Sequence, residues 1–226
     1  MAIATWWSGD PRPNLSPLAG LDVSPATDIA SVAQINQLAP AEVRRRIANG
    51  NRPYLASRGG VPAAYGWVAA ERVDIGELGI ETALPAGDRY LWDFGTLPAF
   101  RGLGVYPRLL DAIRTHELER ASRFWIIHAP ENAPSGVGMS RAGFESVAEL
   151  SFTAASAVAL RPLGTSGRVH VAAELLGVAL AAEPVMDCWL CESSSACGCR
   201  ASGSGGCACH IIPNWPATGG AQPLAS

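Results

Sequence analysis

Apolar positions along this chain change period several times, and each change marks a predicted element. Residues 28–38 and 40–49 carry helical spacing, the first run capped by Thr27 or Asp28 and the second opened by Pro40. Alternation follows at 53–57, a turn at Arg58-Gly59-Gly60, and a strand at 63–70 that includes Tyr65 and Trp67. A third strand is predicted over 76–83, before the turn Pro85-Ala86-Gly87-Asp88. Residues 90–94 read as a strand ending near Leu97-Pro98. Residues 106–122 then form an amphipathic helix, with apolar side chains at 106, 109, 110, 113 and 118. A short buried strand at 124–128, a helix at 135–141 stopped by Gly143, and a closing strand at 144–154 complete the pattern.

That order predicts a mixed α/β (α+β) domain. Residues 1–20, rich in Pro, Gly, Ser and Trp, are expected to form an irregular arm, followed by a folded domain over 21–162. Residues 163–183 read as a helical connector, and 184–226 as a cysteine-rich tail that is disordered or organised by metal. Of 226 residues, 48% are apolar and 16% charged, enough for a sizeable core and too few charges for a solvated polymer. The net charge of −3 gives no broad positive field, so no nucleic-acid partner is expected. All 17 basic residues are arginine, a gap attributed to GC-rich codon usage, and Arg44-Arg45-Arg46 reads as the solvated face of a helix. The chain starts without a secretory pattern and has no apolar run long enough for a bilayer, so a cytoplasmic location and no membrane partner are expected.

Candidate chemistry begins between the strand at 90–94 and the helix after it. Glycines in Arg101-Gly102-Leu103-Gly104 allow a tight turn, whose N–H groups converge at the positive end of the helix. Such a spot binds phosphate. It is not a Walker loop, because the Gly-Lys-Ser/Thr ending is missing. Further on, Glu131-Asn132-Ala133-Pro134-Ser135 follows a strand, and Arg141-Ala142-Gly143-Phe144 comes one helix later. With Thr96-Leu97-Pro98-Ala99-Phe100 leading into the glycine loop, these stretches resemble the GNAT superfamily of acyl-CoA-dependent N-acetyltransferases, over about residues 21–155.

The resemblance implies a GNAT-like, largely antiparallel central sheet flanked by helices, acetyl-CoA as cosubstrate, and a small-molecule or peptide amine as acceptor. Backbone of Phe94, Gly95, Thr96 and Leu97 would hold pantetheine and the acetyl carbonyl. N–H groups from Arg101, Gly102, Leu103, Gly104, Val105 and Tyr106 would cradle the pyrophosphate, with Asn132 and Ser135 near the pantetheine arm. Two departures stand out: Tyr106 replaces the usual Gly or Ala, and Met139 occupies the position of the family's tyrosine acid. Attack by a neutral amine needs a proton acceptor. Asp93 is the first candidate base, against a structural role pairing with an arginine, and Glu81 and Glu77 are alternatives. His116 is expected on a helix surface, and His128 as a structural residue ending a strand.

The tail raises separate chemistry. Its spacing is Cys188-x2-Cys191-x5-Cys197-x-Cys199-x7-Cys207-x-Cys209-His210. Closely spaced thiolates chelate soft ions, so these seven donors are candidate ligands for Zn2+, copper(I) or an iron–sulfur cluster, against a flexible reduced tail. Two rivals to the enzyme follow: a non-catalytic CoA-binding scaffold with a metal- or redox-sensing tail, and a tail that is itself modified or exported as a peptide.

Overall fold

The computed structural model describes residues 1–129, 132–153 and 157–181; the cysteine tail lies outside them. In chain order the elements are β1 Ala2–Trp7, β2 Leu21–Pro25, α1 Ile29–Asn36, α2 Pro40–Ala48, β3 Asn51–Arg58 and β4 Val61–Ala69. Then come β5 Arg72–Ile75, β6 Ile80–Ala83, β7 Asp88–Thr96, α3 Val105–Glu117, β8 Arg123–His128 and α4 Ala133–Arg141. Last are β9 Glu145–Phe152, β10 Val158–Pro162, α5 Arg168–Leu176 and β11 Ala179–Leu180. The architecture is mixed α/β, as the alternation of periods predicts. Among the described residues no helix is long and apolar enough to cross a membrane.

The chain divides into two units, at boundaries other than 21 and 162. Among the described residues the larger comprises 3–73, 83–129 and 132–146, and the smaller 1–2, 74–82, 147–153 and 157–181. In the larger unit the strands run in the order β1-β8-β7-β4-β3-β2, antiparallel from β2 through β3 and β4 to β7 and parallel between β7 and β8. Its two sheet faces carry different cores. Ala56, Ala64, Val68, Leu91, Phe124 and Ile126 pack with Leu109, Leu110 and Ile113 of α3 and with Met139 of α4. Trp67 and Trp92 instead face α1 and α2, with Val32, Ala33 and Val43. Alternation along β4 and β7 therefore sends one set of side chains to each helix layer. In the smaller unit β9, β10 and β11 are neighbours, and α5 contributes Val169, Ala172, Leu175 and Leu176 as buried residues.

Local signals explain most boundaries. Asp28 caps α1, accepting from the N–H groups of Ala30 and Ser31 at 3.3 and 3.0 Å. Three expectations need correction. The arm expected to be irregular contains β1, whose buried Thr5 hydroxyl donates to the Phe124 carbonyl at 2.8 Å. The strand expected at 76–83 is a 3-10 turn, Gly76–Leu78, followed by the short β6. Arg46, expected in solvent, is only 5% exposed.

Candidate active site

The site grows from a fault in the sheet. Trp67 pairs with Trp92 and Tyr65 with Gly95, so Asp93 and Phe94 together stand opposite the single residue Gly66. This is a β-bulge, which bends and over-twists its strand. Asp93 takes it up with φ +48°, a left-handed conformation that costs a non-glycine residue about 1–3 kcal/mol. Gly66 is required by its neighbour, because a Cβ there would lie inside the Phe94 ring. The parallel ladder from β7 to β8 runs from Asp88–Arg123 to Leu91–Ile126 and stops. Both strands continue, to Thr96 and His128, so they part beyond Leu91 and Ile126. A strand edge without a ladder offers N–H and C=O groups to an extended ligand.

The loop after β7 is built to leave donors free. Leu97 N–H donates to Ala63 at 2.9 Å and Phe100 N–H to Leu97 at 2.9 Å, which closes the Pro98–Phe100 turn. Arg101 Nε caps the Thr96 carbonyl at 3.1 Å. Gly102 and Gly104 both have φ +74°, conformations that glycine alone adopts at little cost, and α3 starts immediately afterwards. Among the described residues the N–H groups of Gly102, Leu103, Gly104, Val105 and Tyr106 donate to no backbone acceptor. Arg108 adds positive charge: its guanidinium donates to the Gly104 carbonyl at 2.7 Å and twice to Ser16. Free donors, two arginines and the helix dipole converge on this turn, so it suits a phosphate group.

α4 closes the other side. Asn132 caps it, accepting from Ser135 N–H at 3.2 Å. Ser135 Oγ donates to the Tyr106 hydroxyl at 3.3 Å, and the Tyr106 ring is T-shaped against Phe94 with centroids 5.6 Å apart. Gly138 admits that ring, since a Cβ there would overlap it. Burial pushes the Tyr106 phenol well above its ordinary ionisation range, and the Ser135 hydrogen bond offsets only part of this. Met139 is 1% exposed and packs in the core. Phe94, Tyr106 and Ser135 thus meet beside the gap between β7 and β8, with Asn132 bonded to Ser135 and the 101–105 loop leading into Tyr106.

Asp93 stands on the opposite face. Arg46 reaches it from α2, also donates to Glu42 at 2.9 Å, and lies over the Trp67 and Trp92 rings at 5.1 and 4.5 Å. Asn36 links the group, accepting from Trp67 Nε1 at 2.6 Å and donating to Asp93 at 3.4 Å. Beside them the Tyr65 phenol is pushed up to about 12, first by burial and then by the negative charge of Asp93. A carboxylate that neutralises a buried guanidinium loses that attraction when it takes a proton, so this geometry favours a positional role for Asp93. Glu81 lies on β6 and Glu77 on the 3-10 turn, both exposed and both in the smaller unit. His116 is exposed and stacks on Tyr54, while His128 Nδ1 lies 2.9 Å from the Ala129 carbonyl. The sequence reading missed Asn36, Arg46, Tyr65 and Gly138. Only the contrast between one buried arginine and its two exposed neighbours could have flagged any of them, and it is not visible in a run of three.

Cys188, Cys191, Cys197, Cys199, Cys207, Cys209 and His210 lie outside the described residues. Among the described residues no cluster of three or more His, Cys, Asp or Glu could hold a metal ion.

No known family profile matches the chain, and no curated protein does. Among solved structures it is similar to a GCN5-related N-acetyltransferase from Kribbella flavida, at 16% identity and a TM-score of 0.43, over 64% of this chain. This chain spans 53% of that protein, about half its length. It is also similar to the ribosomal-protein-S18-alanine N-acetyltransferase from Escherichia coli, at 14% identity and a TM-score of 0.45, over 59% of this chain and 82% of that one. An aminoglycoside N-acetyltransferase in complex with CoA is a third, at 18% identity and a TM-score of 0.43, over 58% and 92% of the two chains. Likeness this distant carries neither a family nor an activity with it.

Proposed function

We propose that this chain is an N-acetyltransferase that moves an acetyl group from acetyl-CoA to an amine. The observation that carries the reading is the parting of β7 from β8 directly before a glycine turn rich in free N–H groups. An extended pantetheine arm would pair with the free edge of β7 as an added strand. Its pyrophosphate would meet the N–H groups of 102–106, beside Arg101 and Arg108. The thioester carbonyl would accept from a β7 N–H near the bulge, which stabilises the oxyanion formed on attack. The amine would enter from the α1–α2 face and pass its proton to water, with Asp93 holding Arg46 and the bulge in place. The acceptor is then a small-molecule or peptide amine, and the setting cytoplasmic.

Calorimetric titration with acetyl-CoA and thiol release with an amine panel test this. Micromolar binding and amine-dependent release of CoA are expected. Absence of binding at millimolar acetyl-CoA would overturn the reading, whereas binding without release would favour the scaffold. The thiol spacing of the tail supports a separate metal-binding role, with Zn2+ the first candidate. Elemental analysis of anaerobically purified protein decides it, because metal-free protein with six titratable thiols removes that role.

A further inference from the structure

At the end of the larger unit's sheet where β7 begins lies a cavity of about 470 Å3 that plays no part in acetyl transfer as described. Arg89, which lines it, stands five residues before Phe94 on β7, so the cavity is about 16 Å along the strand from the gap. Ile29 of α1, Ile47 of α2, Pro53 of β3 and Val68 of β4 form apolar walls, while Arg52, Arg89 and Glu117 supply charge. Glu117 is 1% exposed and fully engaged. It accepts from the Tyr54 hydroxyl at 2.7 Å, from Arg89 Nε at 2.9 Å and from Arg52. Arg89 is committed too, since its other nitrogens donate to the Asp88 and Arg120 carbonyls at 2.8 and 3.3 Å. Arg52 differs. Its side chain is 42% exposed, and beyond Glu117 and the Tyr54 hydroxyl its guanidinium meets no acceptor among the described residues.

The lining therefore sets two guanidinium charges against one carboxylate. Glu71 stands over Gly50, another lining residue, but it is exposed, so water and salt screen its charge. One further anion would neutralise the set, and a guanidinium with open N–H groups takes a carboxylate through two parallel hydrogen bonds. The apolar walls add a second requirement, because a bare inorganic anion gains nothing from them. We propose that this cavity binds a small carboxylate with an apolar body, the carboxylate on Arg52 and the body against Ile29, Ile47, Pro53 and Val68. Its volume suits a ligand of roughly 10–15 non-hydrogen atoms. Such binding is independent of the acetyl-transfer reading, since no residue is shared with the gap between β7 and β8.

The probe is 4-phenylbutyrate, and its control is 4-phenylbutyramide, which keeps the shape and loses the charge. Titrated into 15N-labelled protein, the carboxylate is expected to bind with a Kd of about 0.1–3 mM and to shift the amide resonances of Gly50, Asn51, Arg52, Val68 and Ala70. The amide is expected to bind at least about tenfold more weakly. Arg52→Gln should weaken 4-phenylbutyrate by about the same factor and leave the amide unchanged. Glu117 keeps Arg89 and Tyr54 in that variant, so its fold is expected to hold. Ile47→Glu, a change at the exposed rim, removes part of the wall and adds a negative charge, and should weaken the carboxylate more than the amide. Four results would overturn the proposal: no shifts at about 10 mM probe, equal affinity for the two probes, parental affinity in Arg52→Gln, or shifts centred on residues 101–106. If Arg52→Gln does not fold, the two probes compared on Ile47→Glu decide, and parental affinity for both would overturn it equally.

Discussion

Asp93 shows how much a single residue can carry in this fold. It sits at φ +48° in a bulge, neutralises a guanidinium that is 5% exposed, and lies beside the Tyr65 phenol. Asp93→Ala strands the Arg46 charge, with only the half-exposed Glu42 left to offset it. A loss of about 3 kcal/mol is expected in urea unfolding, near the low end for breaking a buried pair. Asp93→Ala combined with Arg46→Met recovers most of that loss, because the charge and its counter-charge leave together. The double variant is also expected to keep acetyl transfer within about threefold of the parent, as measured by thiol release. A stable but inactive double variant would reinstate Asp93 as the base. The sequence made Asp93 a candidate by its place before the glycine loop. Its partner was hidden, because Arg46 is 47 positions away and looks like its exposed neighbours Arg44 and Arg45.

At the scale of the element, the gap between β7 and β8 depends on a close fit across the bulge. Gly66 faces Phe94, and a methyl group there must displace the ring or the strand. Gly66→Ala is therefore expected to cost about 1–3 kcal/mol, read from the denaturant midpoint. It should also weaken acetyl-CoA binding in calorimetry, since Phe94 can no longer hold Tyr106 in its place. Unchanged affinity would show that the fit across the bulge does not shape the gap. Elements differ in how plainly the sequence announces them. α2 and α3 are legible from proline, capping and apolar spacing, which are local properties. β1 and β2 are not, because short strands gain their stability from distant partners. Tryptophans between Met1 and Gly9 look like an arm until Thr5 is found bonded to Phe124. Residues 76–83 read as one strand because alternation persists through the Gly76–Leu78 turn.

Over the whole molecule, buried ionisable groups set the pH range of stability. Tyr54, Tyr65 and Tyr106 all have raised ionisation in the folded state, each chiefly by burial. Their unfolded counterparts ionise near about pH 10, so the unfolded chain sheds protons first. Stability from these groups is full below about pH 10 and falls as pH rises toward the folded values. Glu117 acts at the other limit. Burial pushes its carboxyl up, but hydrogen bonds from Tyr54 and Arg89 and the charges of Arg52 and Arg89 carry it below 4.5. Its contribution is present above the unfolded value and lost as pH drops through the lowered one. Urea midpoints measured at constant ionic strength should thus decline both below about pH 4 and above about pH 10. A flat alkaline limb would show that the phenols are not held neutral.

The sequence by itself determined the order of elements from β7 through α3, β8 and α4 to β9, the glycine turn after β7 and the sharp boundary before the cysteine tail. Each follows from residues close together in the chain, where backbone preference and apolar period act directly. Tertiary structure alone decided that β7 and β8 part beyond Leu91 and Ile126, that Arg46 is buried between two tryptophans, and that Tyr106 reaches Ser135 across the gap. Those outcomes depend on which distant side chains compete for the same space. A period or a motif carries no record of that competition.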